Sequence, residues 1–505
     1  MIEVARAIFL VPPFPGSAPH EVVRPADPNE RVPHDSPSPN TLIAAMRLHR
    51  VGGPFWLADD SVDAPLSLAA DDPEALLAAI AGRTVQTSGD GAFFALNHAT
   101  PGTPATEALI EALVAHHLIE GIAYHDPFTG ARTGALQIVE ILAAWRALIE
   151  ANRPIKAAFG FAHWKRDTVD PLLWGGEPVS FRTARQSALD DLPPNAAIAV
   201  WKARVPPAFL ARLEQGPWTL LEVEDGFVRS AGLGADCVPP LSIVVDDLGV
   251  HYDPALPNRL EAMLATGNWA HHELERARAL RHWLVREGVS KYGVGAVAAL
   301  LRPATEQRVI LVVGQVEDDR SVQFGGGPVR SNLELLRRVR ALAPDAYLIY
   351  RPHPDVEAGH RRGAIAASVA STLANSIDAG SPISALIAMV DAVHVITSLA
   401  GFEALLHGKP VTTHGTPFYA GWGLTTDLGP VSPRRGIART LDELVAAVLL
   451  GYPRYLDPVT NLPCTAEVLV LRLLSGIRRG NGALVPSRRF FGWMKRIAKQ
   501  LLGMR

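Results

Sequence analysis

Side chains able to carry out group transfer cluster in this 505-residue chain at a small set of strand-to-loop junctions. The run TLLEVED ends in Glu224-Asp225-Gly226, with Arg229 and Ser230 just beyond, so two carboxylates and a guanidinium share one loop. A solvated turn using Asp225-Gly226 for its geometry is the plainer reading of that loop. VILVVGQ runs through Gln315 into Glu317-Asp318-Asp319-Arg320-Ser321, three successive acids that could serve chemistry or cap the next helix. AYLIY leads into Arg351-Pro352-His353-Pro354-Asp355. A histidine fixed between two prolines has a rigid backbone and can meet a phosphate oxygen, or can simply stabilise a turn. VHVITS leads into LAGFEALLHGKP, which places Thr397 and Ser398 at a helix N-cap, Gly401 where close approach is possible, and Glu403 one turn in. Free backbone amides and the helix dipole there make an anion site, and Glu403 can reach a ribose diol or cap the helix. Finally Pro417-Phe418-Tyr419-Ala420-Gly421-Trp422-Gly423 crowds aromatics into a loop, as a sugar or base platform or as packing.

These junctions share a position, the C-terminal end of an expected strand, and that edge is where open α/β sheets build their sites. From Ile155 the chain alternates short β-rich runs (IKAAFGF, EPVSF, AIAVWK, TLLEVED, PLSIVVDD) with helical stretches or turns. After Arg302-Pro303 a second series begins: VILVVGQ, NLELLRRVRAL, AYLIYRPHP, SALIAMV, AVHVITS, LAGFEALLHG and KPVTTHG. The pattern predicts an α/β protein with two tandem Rossmann-like domains, each a parallel doubly wound sheet, in the GT-B glycosyltransferase architecture. The expected organisation is an N-terminal irregular and helical extension over 1–120, a first Rossmann-like acceptor-side domain with a helical collar over 121–303, a nucleotide-sugar domain over 304–470, and a basic amphipathic tail over 471–505. Residues 1–85 are rich in Pro, Asp, His and Ser, with helical patches only near 41–48 and 73–80. Two amphipathic patterns between Thr103 and Asn152 predict the collar helices.

Composition narrows the function. An apolar fraction of 48% with 20% charged residues fits a globular chain with large cores. With 48 basic and 51 acidic residues the formal charge is −3, so no global field favours nucleic acid and an anionic ligand needs a local site. Only seven of the basic residues are Lys. Cys237 and Cys464 stand alone, which argues against a disulfide framework or structural zinc and for a reducing, cytoplasmic compartment. The apolar run ending at Pro12-Pro13 is too short for a signal-peptide core, and no run approaches the roughly 20 apolar residues of a spanning helix. SRRFFGWMKRIAKQLLGMR, Ser487 to Arg505, has the spacing of an interfacial helix on anionic lipid, and a peripheral inner-membrane location is expected. There is no GxxxxGK[ST], and neither Gly232-Leu233-Gly234 nor the FGGG at Phe324 sits between a strand and a helix as a dinucleotide fingerprint must.

The strings GFAHWKR (160–166), VEDGFVRSAGLGA (223–235), PPLSIVVDDLGVHYD (239–253), GQVEDDRS (314–321), RPHPDV (351–356), TSLAGFEALLHGKPV (397–411) and PFYAGWGLTTD (417–427) resemble, in order, the retaining β-Kdo transferases of bacterial capsule assembly. The resemblance runs from about 124 to 470. It implies CMP-Kdo as donor, a glycolipid on lyso-phosphatidylglycerol as acceptor, and a short β-Kdo linker for a capsular polysaccharide as product. The EDG and HP motifs are also similar to those of bacterial sialyltransferases, where the HP histidine contacts the cytidylate phosphate, and this implies the same for His353. The family's aspartate nucleophile in a double displacement maps onto Asp319, with Glu224 and Asp225 to take the acceptor proton. The reversed assignment, with Asp225 as nucleophile, stays open.

The donor-binding set expected on this basis is His353, Pro354, Thr397, Ser398, Gly401, Glu403 and Gln315, together with a cation for the Kdo carboxylate. Arg229 ranks first for that cation, with Lys165, Arg166, Arg351 and Lys202 as the other choices, because Arg offers a bidentate fork. No metal or other cofactor is expected, since the cytidylate leaves as a phosphate ester and no ligand set is visible. Expected partners are CMP-Kdo, the glycolipid acceptor, the inner-membrane surface and capsule-assembly proteins. Many family members carry two transferase modules, whereas one is recognisable here, and the first 120 residues match no known pattern. Two other functions are compatible with the pattern: a GT-B enzyme using another nucleotide sugar, sialyltransferase-like or an epimerase, and a non-catalytic capsule assembly or export factor. The presence of Glu224, Asp225 and Asp319 argues against the last.

Overall fold

Caps and prolines set the first helices of this protein, known here from a computed structural model that describes residues 2–27, 37–57, 66–230, 238–291, 293–294, 300–359 and 361–477. Ser38, Asp72 and Thr103 each accept a hydrogen bond from a first-turn amide, and each is followed by proline at the first helical position. Proline there has the φ a helix needs, and its missing N–H costs nothing because that donor would have no partner. The helices Pro39–His49, Pro73–Ile80 and Pro104–Val114 result. With Ala135–Asn152 and a small sheet of Val23–Pro25, Ile122–His125 and Arg132–Thr133, they form a unit spanning 1–156, 170–180 and 459–463. Phe14, Leu42, Met46, Leu76, Phe93 and Val114 fill its core. The helical patches expected near 41–48 and 73–80 are thus present, and the described part of the first 85 residues, expected as an irregular extension, packs into a core with a further helix at Ile2–Ile8.

The second unit spans 157–169, 181–458 and 464–505 and holds both α/β lobes. The first lobe's sheet contains, from one edge, Pro463–Cys464, Pro453–Leu456, Ser242–Asp246, Thr219–Asp225, Ala197–Val200, Ile155–Phe159 and Phe181–Arg182. Its pairing is mixed. Ala197–Val200 runs parallel to Thr219–Asp225, whereas Ser242–Asp246 runs antiparallel to that strand, with Ile243 opposite Asp225 and Val244 opposite Glu224. The expected all-parallel sheet is thus corrected at this edge: among the described residues no crossover helix lies between the strand bearing Glu224 and the one that follows, and a chain without a crossover returns antiparallel. Pro453–Leu456 adds a further antiparallel strand, so the chain comes back to the first sheet after completing the second.

The second lobe's sheet is parallel throughout: Ser376–Ile377, Tyr347–Arg351, Val309–Val313, Ala392–Val395, Val411–Thr413 and Thr426–Asp427 in spatial order. Counted along the chain within this lobe, that order is 3-2-1-4-5-6, the dinucleotide-fold order, whose ligand crevice opens between strands 1 and 4. Val309–Val313 is buried along its whole length, as a central strand covered on both faces must be. The crevice therefore lies where Val313 gives way to Gln315 and Val395 to Thr397. Among the described residues no helix is long and apolar enough to cross a membrane. The expected lipid-facing helix at 487–505, Cys237, and the Gly232-Leu233-Gly234 run lie outside the described residues.

Candidate active site

Gln315 joins the two halves of the crevice. Its side-chain amide donates to Thr397 Oγ1 at 3.0 Å and accepts from the Thr397 N–H at 2.8 Å. Asn332, fully buried, holds the main chain of Gln315 from behind through its amide (2.8 and 2.7 Å). Both ends of the Gln315 amide are thus occupied, and the residue positions two loops relative to each other. Four residues on, Asp319 caps the helix Arg320–Gly325, its Oδ2 accepting from the Ser321 hydroxyl at 2.7 Å. No described hydrogen bond engages Oδ1. The acid run does cap a helix, and the capping acid is the one assigned to chemistry.

His353 and Ser398 cap helices on the flanking strands. Pro354 begins the turn Pro354–Glu357, and the Asp355 N–H donates to His353 Nδ1 at 3.1 Å. Because Nδ1 accepts, the neutral ring carries its proton on Nε2, which can donate to a phosphate oxygen. Burial lowers the His353 pKa, and Lys291 adds to this against the opposing charges of Asp355 and Asp319, which favours that neutral form. Ser398 Oγ accepts from the Ala400 N–H at the start of Leu399–Leu406, as the sequence predicted. The space at Gly401 is filled by protein: a Cβ there would lie 2.2 Å from the hydroxyl of Tyr419, which donates to the Ser398 carbonyl. Tyr419 and Trp422 are 0% exposed, so the aromatic loop packs the lobe and offers no platform.

On the first lobe Asp225 is held by two cations. Lys165 Nζ donates to Oδ1 at 3.1 Å and Arg229 Nε to Oδ2 at 2.7 Å. Burial opposes its ionisation, but the charges of Arg229, Lys165 and Lys291 outweigh burial and keep its carboxyl far below the ordinary range. Glu224 is the opposite case: burial and the neighbouring Asp225 raise it to about 7, and the charge of Asp319 acts in the same direction. Two adjacent carboxyls therefore differ in chemistry. Asp225 is a fixed anion, and Glu224 is poised to take or give a proton near neutral pH. The charge of Asp319 is felt by Glu224 of the first lobe and by His353 of its own.

Of the residues nominated for the sugar carboxylate, Arg229, Lys165, Lys202 and Arg351 are engaged with protein polar groups. Arg229 is 1% exposed and directs its other nitrogens to Ser230 Oγ (2.8 Å) and the Val238 carbonyl (2.9 Å). Lys165 lies 3.2 Å above the Trp201 ring centroid, and burial lowers its pKa to about 8 against the pull of Asp225. Lys202 pairs with Glu222 at 3.0 Å, Arg351 donates to the Asp378 carbonyl at 2.9 Å, and Arg166 lies over Phe181. Glu403 accepts from the Lys291 N–H at 3.0 Å, and burial raises it to about 7, so it supports the segment linking the lobes. Replacing Arg229 by Met should destabilise the protein by about 3 kcal/mol, because Asp225 keeps its buried charge with one partner fewer. A chemical-denaturation midpoint equal to that of the parent would show that Arg229 does not hold Asp225.

Sequence reading passed over four residues here. Tyr252 donates to Glu222 Oε1 at 3.1 Å, Arg320 approaches the Tyr252 hydroxyl at 3.4 Å, and Lys291 sits between the lobes. The first two lay inside quoted motifs, beside residues that drew attention. Asn332 carried no signal, since its role is to hold a main chain distant in sequence.

Two α/β lobes, with the acid loop of one and the helix capped by Ser398 on the other, give the chain a fold of the kind seen in glycosyltransferases. The chain belongs to the capsule polysaccharide biosynthesis protein family, whose model matches residues 202–282 and 269–455. It is 37% identical over 385 residues to the capsule polysaccharide modification protein LipA of Neisseria meningitidis serogroup B, covering 75% of this chain and 54% of that protein. It is 39% identical over 339 residues to the lipopolysaccharide-processing protein LpsZ of Rhizobium meliloti, covering 64% and 74%. The chain spans about half the length of the LipA relatives it matches. Among solved structures it is similar to two Thermosulfurimonas dismutans KpsC transferases. The β-Kdo 2,7 transferase is 33% identical with a TM-score of 0.53, and the β-Kdo 2,4 transferase 28% identical with a TM-score of 0.54. Each match covers 63% of this chain and 98% of the other.

Proposed function

We propose that this protein transfers Kdo from CMP-Kdo, with retention, to a lipid-linked acceptor in building the β-Kdo linker of a capsular polysaccharide. The observation that carries the reading is the pairing of an ionisable carboxyl poised near neutrality, Glu224, with a helix-capping carboxylate, Asp319, beside a phosphate site of His353 and Ser398. In the first step Asp319 Oδ1 bonds to the anomeric carbon as the bond to the phosphate oxygen breaks, and CMP departs with the electron pair. His353 Nε2–H and the amides at Leu399–Leu406 meet the phosphate charge. In the second step Glu224 takes the proton of the acceptor hydroxyl, whose oxygen displaces Asp319 from the opposite side. Two inversions give net retention. The similarity to KpsC transferases named for β-Kdo 2,7 and 2,4 linkages supports the sugar, and LipA and LpsZ support a capsular or lipopolysaccharide setting.

The reading needs no metal, because the leaving cytidylate is met by His353 and backbone amides, and transfer should persist in EDTA. The test is the purified chain with CMP-Kdo and a Kdo-bearing lyso-phosphatidylglycerol acceptor, the product's anomeric configuration being read by NMR. A β-linked product is expected. Consumption of CMP-sialic acid in place of CMP-Kdo, release of altered free sugar without acceptor, or an α-linked product would each overturn the reading.

A further inference from the structure

Beside the groups assigned to the donor and to proton transfer, one cluster of rings and charge stands open to solvent. Arg320 and Phe324 are four residues apart in Arg320–Gly325, the short helix that Asp319 caps, and so share one of its faces. The guanidinium carbon of Arg320 lies 5.8 Å from the Phe324 ring centroid, within cation–π range, and its Nη1 donates to the Tyr252 hydroxyl at 3.4 Å. Tyr252, from the first lobe, stacks on Phe324 with centroids 6.4 Å apart and planes inclined by 25°. The next residue, Gly325, fixes where the cluster sits: a Cβ there would lie 3.1 Å from the Thr397 methyl group and 3.5 Å from the Tyr252 carbonyl. The cluster therefore borders the crevice at Thr397.

Its neighbours are the two carboxyls given chemical roles. Tyr252 donates to Glu222 Oε1 at 3.1 Å, and Glu222 and Glu224 are alternate residues of Thr219–Asp225, on one face of that strand. Arg320 directly follows Asp319. An acceptor hydroxyl has to reach both Glu224 and the sugar on Asp319, so the ring that bears it lies against the residues around that pair. Phe324 is 50% exposed, whereas Tyr419 and Trp422 of the same lobe are wholly buried, and an open aromatic face suits the apolar side of a sugar ring. Lys202 meets the other oxygen of Glu222 at 3.0 Å, so that acid is already paired. Among the described residues Arg320 enters no ion pair, and its long contact with Tyr252 is its one hydrogen bond. Its charge is left for an anion that arrives with the substrate.

We propose that Arg320, Phe324 and Tyr252 form the acceptor subsite and select an acceptor whose terminal sugar carries a carboxylate. Phe324 underlies the sugar ring, and the fork of Arg320 pairs with the acid. The proposal rests on the reading of the protein as a Kdo transferase and adds the chemistry of its acceptor. Arg320 and Phe324 both lie outside the buried core, so their replacement leaves the packing of the lobe in place.

The experiment uses the full chain as parent, Arg320→Gln and Phe324→Ala, with CMP-Kdo and two acceptors: the Kdo-bearing lyso-phosphatidylglycerol, and the same compound with its Kdo carboxylate converted to the methyl amide. Loss of a charge-assisted pair should raise the KM for the acid acceptor roughly 10- to 100-fold in Arg320→Gln. The parent should lose a similar factor on the amide, where Arg320→Gln should cost less than about 3-fold more. Phe324→Ala should weaken both acceptors alike, by roughly 2- to 10-fold, and the KM for CMP-Kdo should change less than about 3-fold in either variant. The parent's KM for the acid acceptor in Arg320→Gln, or for both acceptors in Phe324→Ala, would overturn the proposal. So would a raised KM for CMP-Kdo alone, which assigns the guanidinium to the donor, and equal loss on both acceptors in Arg320→Gln, which assigns it to the lipid phosphate. In each of these results the parent still transfers Kdo and the proposed function stands. A parent that transfers no Kdo removes both.

Discussion

Asp319→Asn should retain the fold and the affinity for CMP while losing transfer by on the order of 10^4- to 10^6-fold, the range seen when a covalent nucleophile is removed. Asn is the informative replacement. Asp319 caps Arg320–Gly325 through an oxygen that accepts from Ser321, and Asn caps helices about as well as Asp, so the melting temperature should be unchanged within error. Alanine would mix the chemical loss with a capping loss of about 1 kcal/mol. The same experiment separates Asp319 from Asp225. Both oxygens of Asp225 are occupied by Lys165 and Arg229, so an attack from Asp225 would have to break a buried ion pair in reaching the transition state. Mass spectrometry of the parent with CMP-Kdo alone should show protein heavier by one Kdo, on the peptide containing Asp319. The adduct on the peptide containing Asp225 would reverse the two roles, and several per cent of residual transfer in Asp319→Asn would remove the covalent step.

The second lobe was legible because its strands are central. VILVV, YLIYR and AVHV are buried on both faces, read as continuous apolar runs, and end where loops carry polar residues. Its 3-2-1-4-5-6 order then fixes the crevice at Gln315 and Thr397. Three helices of the N-terminal unit were legible in the apolar spacing at 41–48, at 73–80 and from Thr103, but their packing into one core was not. Ser38-Pro39, Asp72-Pro73 and Thr103-Pro104 resemble turn signals, yet each is an N-cap followed by a first-turn proline, and only the apolar spacing behind the proline separates the two cases. Cation choice was illegible in principle. Arg229 stands four residues from Asp225 at the end of a strand, and whether its fork faces a ligand or its own neighbour is decided by burial, which sequence does not report. Gly401 shows the same limit, since the close approach it permits is by Tyr419, eighteen positions along.

Glu224→Gln should separate the two chemical steps and remove a pH limb. Burial and Asp225 raise Glu224 to about 7, so acceptance of the acceptor proton requires pH at or above that value, and transfer in the parent should rise as pH increases through about 7. In Glu224→Gln the rate should fall by roughly 10^2- to 10^4-fold and the rising limb should vanish. The covalent adduct should form at nearly the parent's rate and accumulate, because Asp319 needs no base in order to attack. Stability should move in the opposite direction. The folded protein holds the Glu224 proton more tightly than the unfolded chain, whose carboxyl titrates near 4.5. Ionisation of this group therefore costs stability, a cost absent below pH 4.5 and complete above about pH 7. Glu224→Gln should match the parent's unfolding free energy at pH 4 and exceed it by up to about 3 kcal/mol at pH 8. A variant that loses transfer but keeps the parent's pH limb would move the base to another group. One that gains no stability between pH 4 and pH 8 would show that the raised pKa is absent from the free enzyme.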